Sequence, residues 1–224
     1  MPDSPVTNHE RIPRARSFGE ATRGFLRCPE ARVTVVALIG LWLAGILAGS
    51  RHWGVPLVVL GGFVLWYLIE IPIHRYILHW QPRHPTLHKL MRRLHHAHHE
   101  QPTNPELLFL PEWVSLPSIA IVLGVAAGFG VFADGLWFMA GFWTSLTSYE
   151  WMHYAVHSRW RPDWGPMRRT FADHLKHHFL NEGYWFGVSN RFMDRFWGTS
   201  PDPRDVEKSE TAQDLTAEGR NSAL

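Results

Sequence analysis

Uncharged apolar runs alternate with compact polar stretches along this chain of 224 residues. Residues 33–49 (VTVVALIGLWLAGILAG) form a first run and 55–73 a second, each long enough for a helix to cross a bilayer. SRHWG at 50–54 reads as the tight turn between them. A third run covers 116–133, Asp134-Gly135 reads as a turn, and a fourth run covers 136–157. Pro72 removes a helix hydrogen bond near the end of the second run and predicts a kink or the end of regular helix there. Residues 80–112 are polar and punctuated by Pro82, Pro85, Pro102, Pro105 and Pro111. Between these prolines HPTLHKLMRRLHHAHHE predicts a short amphipathic helix. A further helix is predicted near 170–181. The reading is all-α, with four transmembrane helices in two hairpins. It gives a polar N-terminal tail over 1–32, a membrane-embedded unit over 33–200, and a tail over 201–224 whose composition predicts disorder.

Two hairpins return the chain to its starting side each time. The N-terminal tail, the 74–112 segment and everything after 157 then share one side. Every Lys and Arg except Arg51 lies on it, so the positive-inside rule makes it the cytoplasm and places both termini there. Residues 1–32 lack the short cleavable apolar core of a signal peptide. Trp53, Trp80, Trp113 and Trp160 fall near the predicted span ends, where interfacial tryptophans collect. A net charge of +2 with scattered basic residues does not point to a nucleic-acid binder. Cys28, the only cysteine, excludes an intrachain disulfide and a thiolate metal cage.

The composition is unusual in its 15 histidines. Ten of them fall in four clusters: His74 and His79; His95, His98 and His99; His153 and His157; His174, His177 and His178. Residues three and four apart share a helix face, so each of the last three clusters is expected to project its imidazoles in one direction. His74 and His79 are five apart and diverge by roughly 140° on an ideal helix. They suit two different ions, or a helix distorted by Pro72. Neutral imidazole is the commonest protein metal ligand and accepts iron, zinc, copper and nickel. Ten such groups on one membrane face exceed the needs of one ion and suit two. His9, His52, His84, His88 and His96 fall outside the pattern. Glu70, Glu150 and Asp173 precede His74, His153 and His177 by three or four residues. Carboxylates at that spacing are expected to accept the second ring N–H of a metal-bound histidine.

The spacing H-x4-H, H-x2-H-H, H-x3-H, H-x2-H-H resembles the fatty acid hydroxylase and sterol desaturase superfamily of di-iron membrane enzymes. The stretches that carry the resemblance are LIEIPIHRYILH (68–79), LHHAHHEQPTNPELLFLP (94–111), YEWMHYAVH (149–157) and FADHLKHHFLNEGYWFGVSNRFMDRFWGT (171–199). PTNPELLFLP points toward the fatty acid 2-hydroxylases. The resemblance implies four membrane helices under a cytosolic helical cap, with a dinuclear centre between them. It implies His74, His95, His98, His157 and His174 around one ion, and His79, His99, His153, His177 and His178 around the other. It implies iron, with zinc as a possible occupant, O2 as co-substrate, a membrane lipid as substrate, and electrons from a separate ferredoxin or cytochrome-type donor with its reductase. Many eukaryotic 2-hydroxylases carry an N-terminal haem-binding domain, for which residues 1–32 are too short. Tyr184, Trp185 and Phe186 are candidates to line the path of the lipid chain, or to pack the core of the cap.

The most direct reading is an O2-dependent di-iron hydroxylase acting on a fatty acyl chain. Desaturation, sterol methyl oxidation and carotenoid ring hydroxylation use the same chemistry and stay open. A membrane metal transporter or a metal-binding protein is the rival of another class; a transporter would place its ligands near mid-bilayer rather than at one face. The oligomeric state is not readable from the sequence.

Overall fold

A computed structural model describes residues 11–49 and 52–215. His9 and Arg51 lie outside the described residues, as do 216–224. The described residues are helical, with no strand among them. Helix α1 (Phe18–Phe25) is short and amphipathic. Ser17 caps it by accepting the Glu20 N–H at 3.2 Å, and the Glu20 carboxylate accepts the Arg16 N–H at 2.7 Å. The N-terminal region is therefore more than a polar tail. Phe25 packs on Phe109 and Tyr154, and Ile12 and Ala15 are buried.

Four long helices follow: α2 (Pro29–Leu47), α3 (Val55–Pro72), α6 (Glu112–Gly128) and α7 (Phe132–His157). The helices beginning at Pro29, ending in the α3 region at Leu78, and ending at Gly128 are long and apolar enough to cross a membrane. Their apolar side chains face outward: Val36, Leu47, Leu57, Ile121 and Val125 are all exposed. In water that would be costly, whereas in lipid it costs nothing. Helix α7 is as long but more polar, and it packs against α2, α3 and α6 at once. The third span was expected over 116–133 with a turn at Asp134-Gly135. The turn instead falls at Gly130, whose φ of +72° suits glycine, and Asp134 and Gly135 lie in the first turn of α7. There the Asp134 carboxylate meets His52 Nε2 at 2.9 Å, joining the two hairpin ends. Trp53 and Trp113 are exposed, as expected of interfacial rings, but Trp160 packs against Phe18, Trp151 and Phe171.

The contact that positions the site is between α3 and α7. These helices run parallel: Phe63 meets Ser145, and further along Trp66 meets Tyr149. Gly62 and Gly141 let the backbones touch. A Cβ on Gly62 would strike the Phe138 carbonyl oxygen, and one on Gly141 the Val59 carbonyl oxygen. Small residues allow such an approach in membrane helices, where packing rather than the hydrophobic effect holds helices together. Ser145 Oγ donates to the Phe63 carbonyl at 2.9 Å, and Trp143 Nε1 to the Thr34 carbonyl of α2 at 3.0 Å. Parallel helices in fixed register deliver their C-terminal ends to the same level, and both ends carry histidines.

Replacing Gly62 by Ala forces α3 off α7 and is expected to cost about 1–3 kcal/mol. A thermal melt of the detergent-solubilised protein checks this. Gly61→Ala, where a Cβ has open space, is the control and should melt as the unaltered chain does.

Candidate metal centre

Four segments carry the ten histidines. Just beyond Pro72 the chain widens into a π-turn, Ile73–Leu78, and the His79 N–H reaches back five residues to the His74 carbonyl at 3.1 Å. A π-turn places residues five apart on one face, so the two rings lie 5.0 Å apart rather than diverging. The distorted helix is thus the outcome realised. The second segment is α4 (Pro85–Met91), a π-turn over Arg92–His96, and α5 (Ala97–Glu100). The C-terminal end of α7 brings His153 and His157, and α8 (Gly165–Phe179) brings His174, His177 and His178.

All ten rings converge, in two groups of five. One is His74, His79, His95, His99 and His177; the other is His98, His153, His157, His174 and His178. Within each group one nitrogen per ring lies within 4.8 Å of the others. This corrects the division implied by the resemblance, which mixed the pairs. The rule in the structure is that residues four or five apart stay together, while the histidine three after the first crosses to the other group. His98 leaves the His95–His99 pair, and His177 leaves the His174–His178 pair. The clusters therefore do not project all their rings one way. The groups touch through His99 and His178, whose ring centroids are 4.3 Å apart.

Nitrogens converge in each group. His74 Nε2 is 2.9 Å and His99 Nε2 3.1 Å from His95 Nε2, and His177 Nε2 is 3.1 Å from His79 Nε2. In the second group His174 Nε2 is 3.2 Å from His157 Nε2 and 3.1 Å from His178 Nε2. Adjacent nitrogens about 3.0 Å apart are what an ion with bonds of about 2.1 Å at right angles requires. His98 has no hydrogen-bond partner at either ring nitrogen, although it is buried. Buried imidazole nitrogens without partners are expensive, and a cation satisfies them. The donor set fits two ions of a nitrogen-preferring metal.

The three carboxylates act elsewhere than expected. Glu70 accepts the backbone N–H groups of Val188 and Ser189 at 2.7 and 2.8 Å, and the Ser189 hydroxyl, but no histidine N–H. Glu150 accepts the Leu110 N–H at 3.1 Å. Asp173 pairs with Lys176 and Arg191, each at 2.8 Å. The ring N–H groups go to peptide carbonyls instead. His74 Nδ1 donates to Phe186 O at 2.6 Å, His177 Nδ1 to Tyr184 O at 2.8 Å, and His99 Nδ1 to Ala212 O at 2.8 Å. Those bonds leave each Nε2 as a lone pair aimed inward. Glu70 still serves His74 at one remove, by holding the loop that presents Phe186. Asp194 of α9 (Arg191–Phe196) holds the same loop, accepting the Phe186 and Gly187 N–H groups at 2.9 and 2.8 Å.

Tyr184, Trp185 and Phe186 back the first group rather than line a channel. Trp185 and Phe186 are buried, and the Phe186 ring packs 5.5, 5.3 and 5.2 Å from His74, His79 and His177. A small apolar cavity of about 90 Å³ lies on the other side, lined by Trp66, Leu94, Leu108, Leu146 and Tyr149. His74, His95 and His153 open onto it, so it touches both groups. Trp66, Glu70 and His74 stand four residues apart on one helix face, a spacing that identifies Trp66 from sequence. The peptide carbonyls carry no such signal. A cleft of about 710 Å³ beside Arg11, Arg27 and Arg93 holds none of the ten histidines. Of the histidines outside the pattern, His52 and His84 are exposed and His88 half-buried, while His96 is buried with its ring facing His88.

The segment beyond Pro201, expected to be disordered, packs back on the centre over its described part, with Ala212 and Leu215 buried.

A helical membrane protein with paired five-histidine groups at one end of its long helices is the class these features define. A sequence profile of fatty acid hydroxylases matches residues 34–199, and the chain belongs to that family. The fatty acid 2-hydroxylase of Homo sapiens is 31% identical over 147 residues, covering 62% of this chain and 37% of that protein. The ceramide very long chain fatty acid hydroxylase SCS7 of Saccharomyces cerevisiae is 31% identical over 146 residues, covering 62% of this chain and 36% of that one. This chain thus spans about a third of the length of these relatives. The solved structure of full-length scs7p, in which only the hydroxylase domain is visible, shares the fold at a TM-score of 0.70 and 24% identity. That match covers 87% of this chain and 73% of the other.

Burial and the neighbouring imidazoles hold His95, His98, His177 and His178 well below the ordinary histidine range. Burial pushes His99 down to about 3. The unfolded chain therefore takes up protons below about pH 6.5 that the folded chain refuses. Stability is present above that pH and is lost as pH falls. Asp194, pushed up to about 6 by burial, works in the opposite direction but is outnumbered by the imidazoles. Metal-stripped protein should melt at a lower temperature near pH 5.5 than near pH 7.5, by up to about 1.4 kcal/mol per pH unit for each imidazole. Equal melting temperatures would contradict the buried, neutral state of these rings.

Proposed function

We propose that this chain is an O2-dependent lipid hydroxylase with two iron ions, acting on a fatty acyl chain. The observation that carries the proposal is the pair of five-imidazole groups in contact, both opening onto one apolar cavity, in a chain of the fatty acid hydroxylase family. The relatives are named for hydroxylating fatty acids or the acyl chains of ceramides, and that substrate class is carried to this chain as part of the proposal.

The reaction inserts one oxygen atom of O2 into a C–H bond and releases the other as water, consuming two electrons and two protons. The ions, when bound, supply the redox chemistry that activates dioxygen. The chain supplies the rest. His74, His79, His95, His99 and His177 hold one ion, and His98, His153, His157, His174 and His178 the other. The Phe186, Tyr184 and Ala212 carbonyls fix three of those rings in the tautomer that presents Nε2. Trp66, Leu94, Leu146 and Tyr149 keep water from the cavity and hold the reacting carbon against His74, His95 and His153. That space, of about 90 Å³, takes part of a chain, with the remainder toward the lipid. Four spans, with α7 as the fourth, put the centre beneath the cytoplasmic leaflet, where the basic residues collect and a ferredoxin or cytochrome-type donor can dock.

Expression in a host grown under labelled O2, followed by lipid mass spectrometry, tests this. A lipid should gain one labelled oxygen, and His98→Ala should abolish the product. Loss of two hydrogens without label would make the enzyme a desaturase, and an unchanged lipid profile would remove the activity altogether.

A further inference from the structure

We infer that residues 209–215 are a working part of the metal centre: this segment fixes His99 and thereby sets how tightly the first histidine group holds its ion. The inference rests on the reading that the two groups hold ions. Sequence composition assigned these residues to a disordered tail, and their packing is the reason to revise that.

The segment is tied down at three places, and each lies beside a different part of the first group. At its start the Ser209 N–H donates to the Leu180 carbonyl at 2.8 Å, and the Ser209 hydroxyl donates to Glu182 at 2.9 Å. The Thr211 hydroxyl also donates to Glu182. Leu180 and Glu182 directly follow α8, which carries His177. At its end the Leu215 carbonyl accepts from the Gln81 amide, two residues after His79. Between these anchors the Ala212 carbonyl accepts His99 Nδ1–H at 2.8 Å. Ala212 and Leu215 are each 2% exposed, and the Ala212–His99 bond is buried, so water does not compete for it. One short strap thus joins the segments of His79, His99 and His177.

The second group is less fully latched: His98 at both ring nitrogens, and His174 and His178 at Nδ1, lack a hydrogen-bond partner. In the first group His74, His99 and His177 are all latched to peptide carbonyls. The latch on His99 comes from beyond the last long helix, so shortening the chain removes it without touching a ligand or a long helix. Loss of such a bond to a ligand's second nitrogen weakens metal binding by about ten- to a hundred-fold.

The test uses the zinc-loaded chain in detergent, with metal content read by mass spectrometry and affinity by competition with a chelator. The full chain should carry two ions. A chain ending at Lys208 should lose one of them to a chelator concentration that leaves the full chain intact. Adding His177→Ala to the shortened chain should change nothing further, because that ion is already lost. Adding His157→Ala should remove the remaining ion. A shortened chain that keeps both ions at unchanged affinity overturns the inference, as does one that loses the ion of the second group first. Should the shortened chain not fold, Gln81→Ala with Glu182→Ala frees the strap at both ends in the full chain. The first ion should then bind about ten- to a hundred-fold more weakly, and unchanged affinity overturns the inference. A full chain that binds no zinc would instead count against the metal reading itself.

Discussion

Imidazole nitrogens that face one another about 3 Å apart in a dry interior are the constraint on which this structure rests. Three of the rings give their Nδ1 protons to carbonyls and so point bare lone pairs at their neighbours. Lone pairs at such a distance repel, and burial denies them water. Two cations would convert that repulsion into coordination, and burial would then help, because a low dielectric strengthens the attraction of an ion for its ligands. The long helices, the π-turns and the loop over 184–189 all serve to bring these nitrogens to one place.

The chain builds the centre twice. A pair of histidines ends α3 and another ends α7, and each pair is followed by a segment with the spacing H-x2-H-H. Gly62 and Gly141, at the closest approach of the two helices, each stand twelve residues before the first histidine of the pair. Each half supplies four ligands to its own group and sends one, His98 or His177, to the other. Every ion would therefore cross-link both halves of the chain, so metal binding and folding are coupled. The parallel packing of α3 and α7 explains how the two halves stay level, since neither helix can slide without driving a Cβ-free surface into a residue that has a side chain.

Much of this was legible in the sequence, for identifiable reasons. Histidine is rare enough that four clusters at helical spacing stand out, and all ten rings do converge. Apolar runs mark the long helices, although the third ends at Gly128 rather than 133, because hydropathy does not register that Gly130 supplies the left-handed turn. The division of the rings was not legible. It depends on the roughly 100° of rotation that separates residues three and four apart, and on π-turns that Pro72 hints at but cannot specify. The expected carboxylate partners of the ligands failed because helical spacing reports proximity along one helix. Glu70 and Glu150 found partners on other segments, and Asp173 pairs with Lys176 of its own helix and with Arg191. Peptide carbonyls took their place, and a carbonyl has no residue type to read. The packed segment over 209–215 was hidden for a related reason: its few apolar residues, Ala212 and Leu215, gain their burial from a surface that exists only once the centre has assembled.

The central claim is that two ions sit among ten imidazoles, five to each. Anomalous scattering from crystals of the iron-loaded protein, recorded at the iron absorption edge, tests it most directly. Two peaks per chain should appear, one ringed by His74, His79, His95, His99 and His177 and the other by His98, His153, His157, His174 and His178. A single peak, or peaks away from these rings, would contradict it.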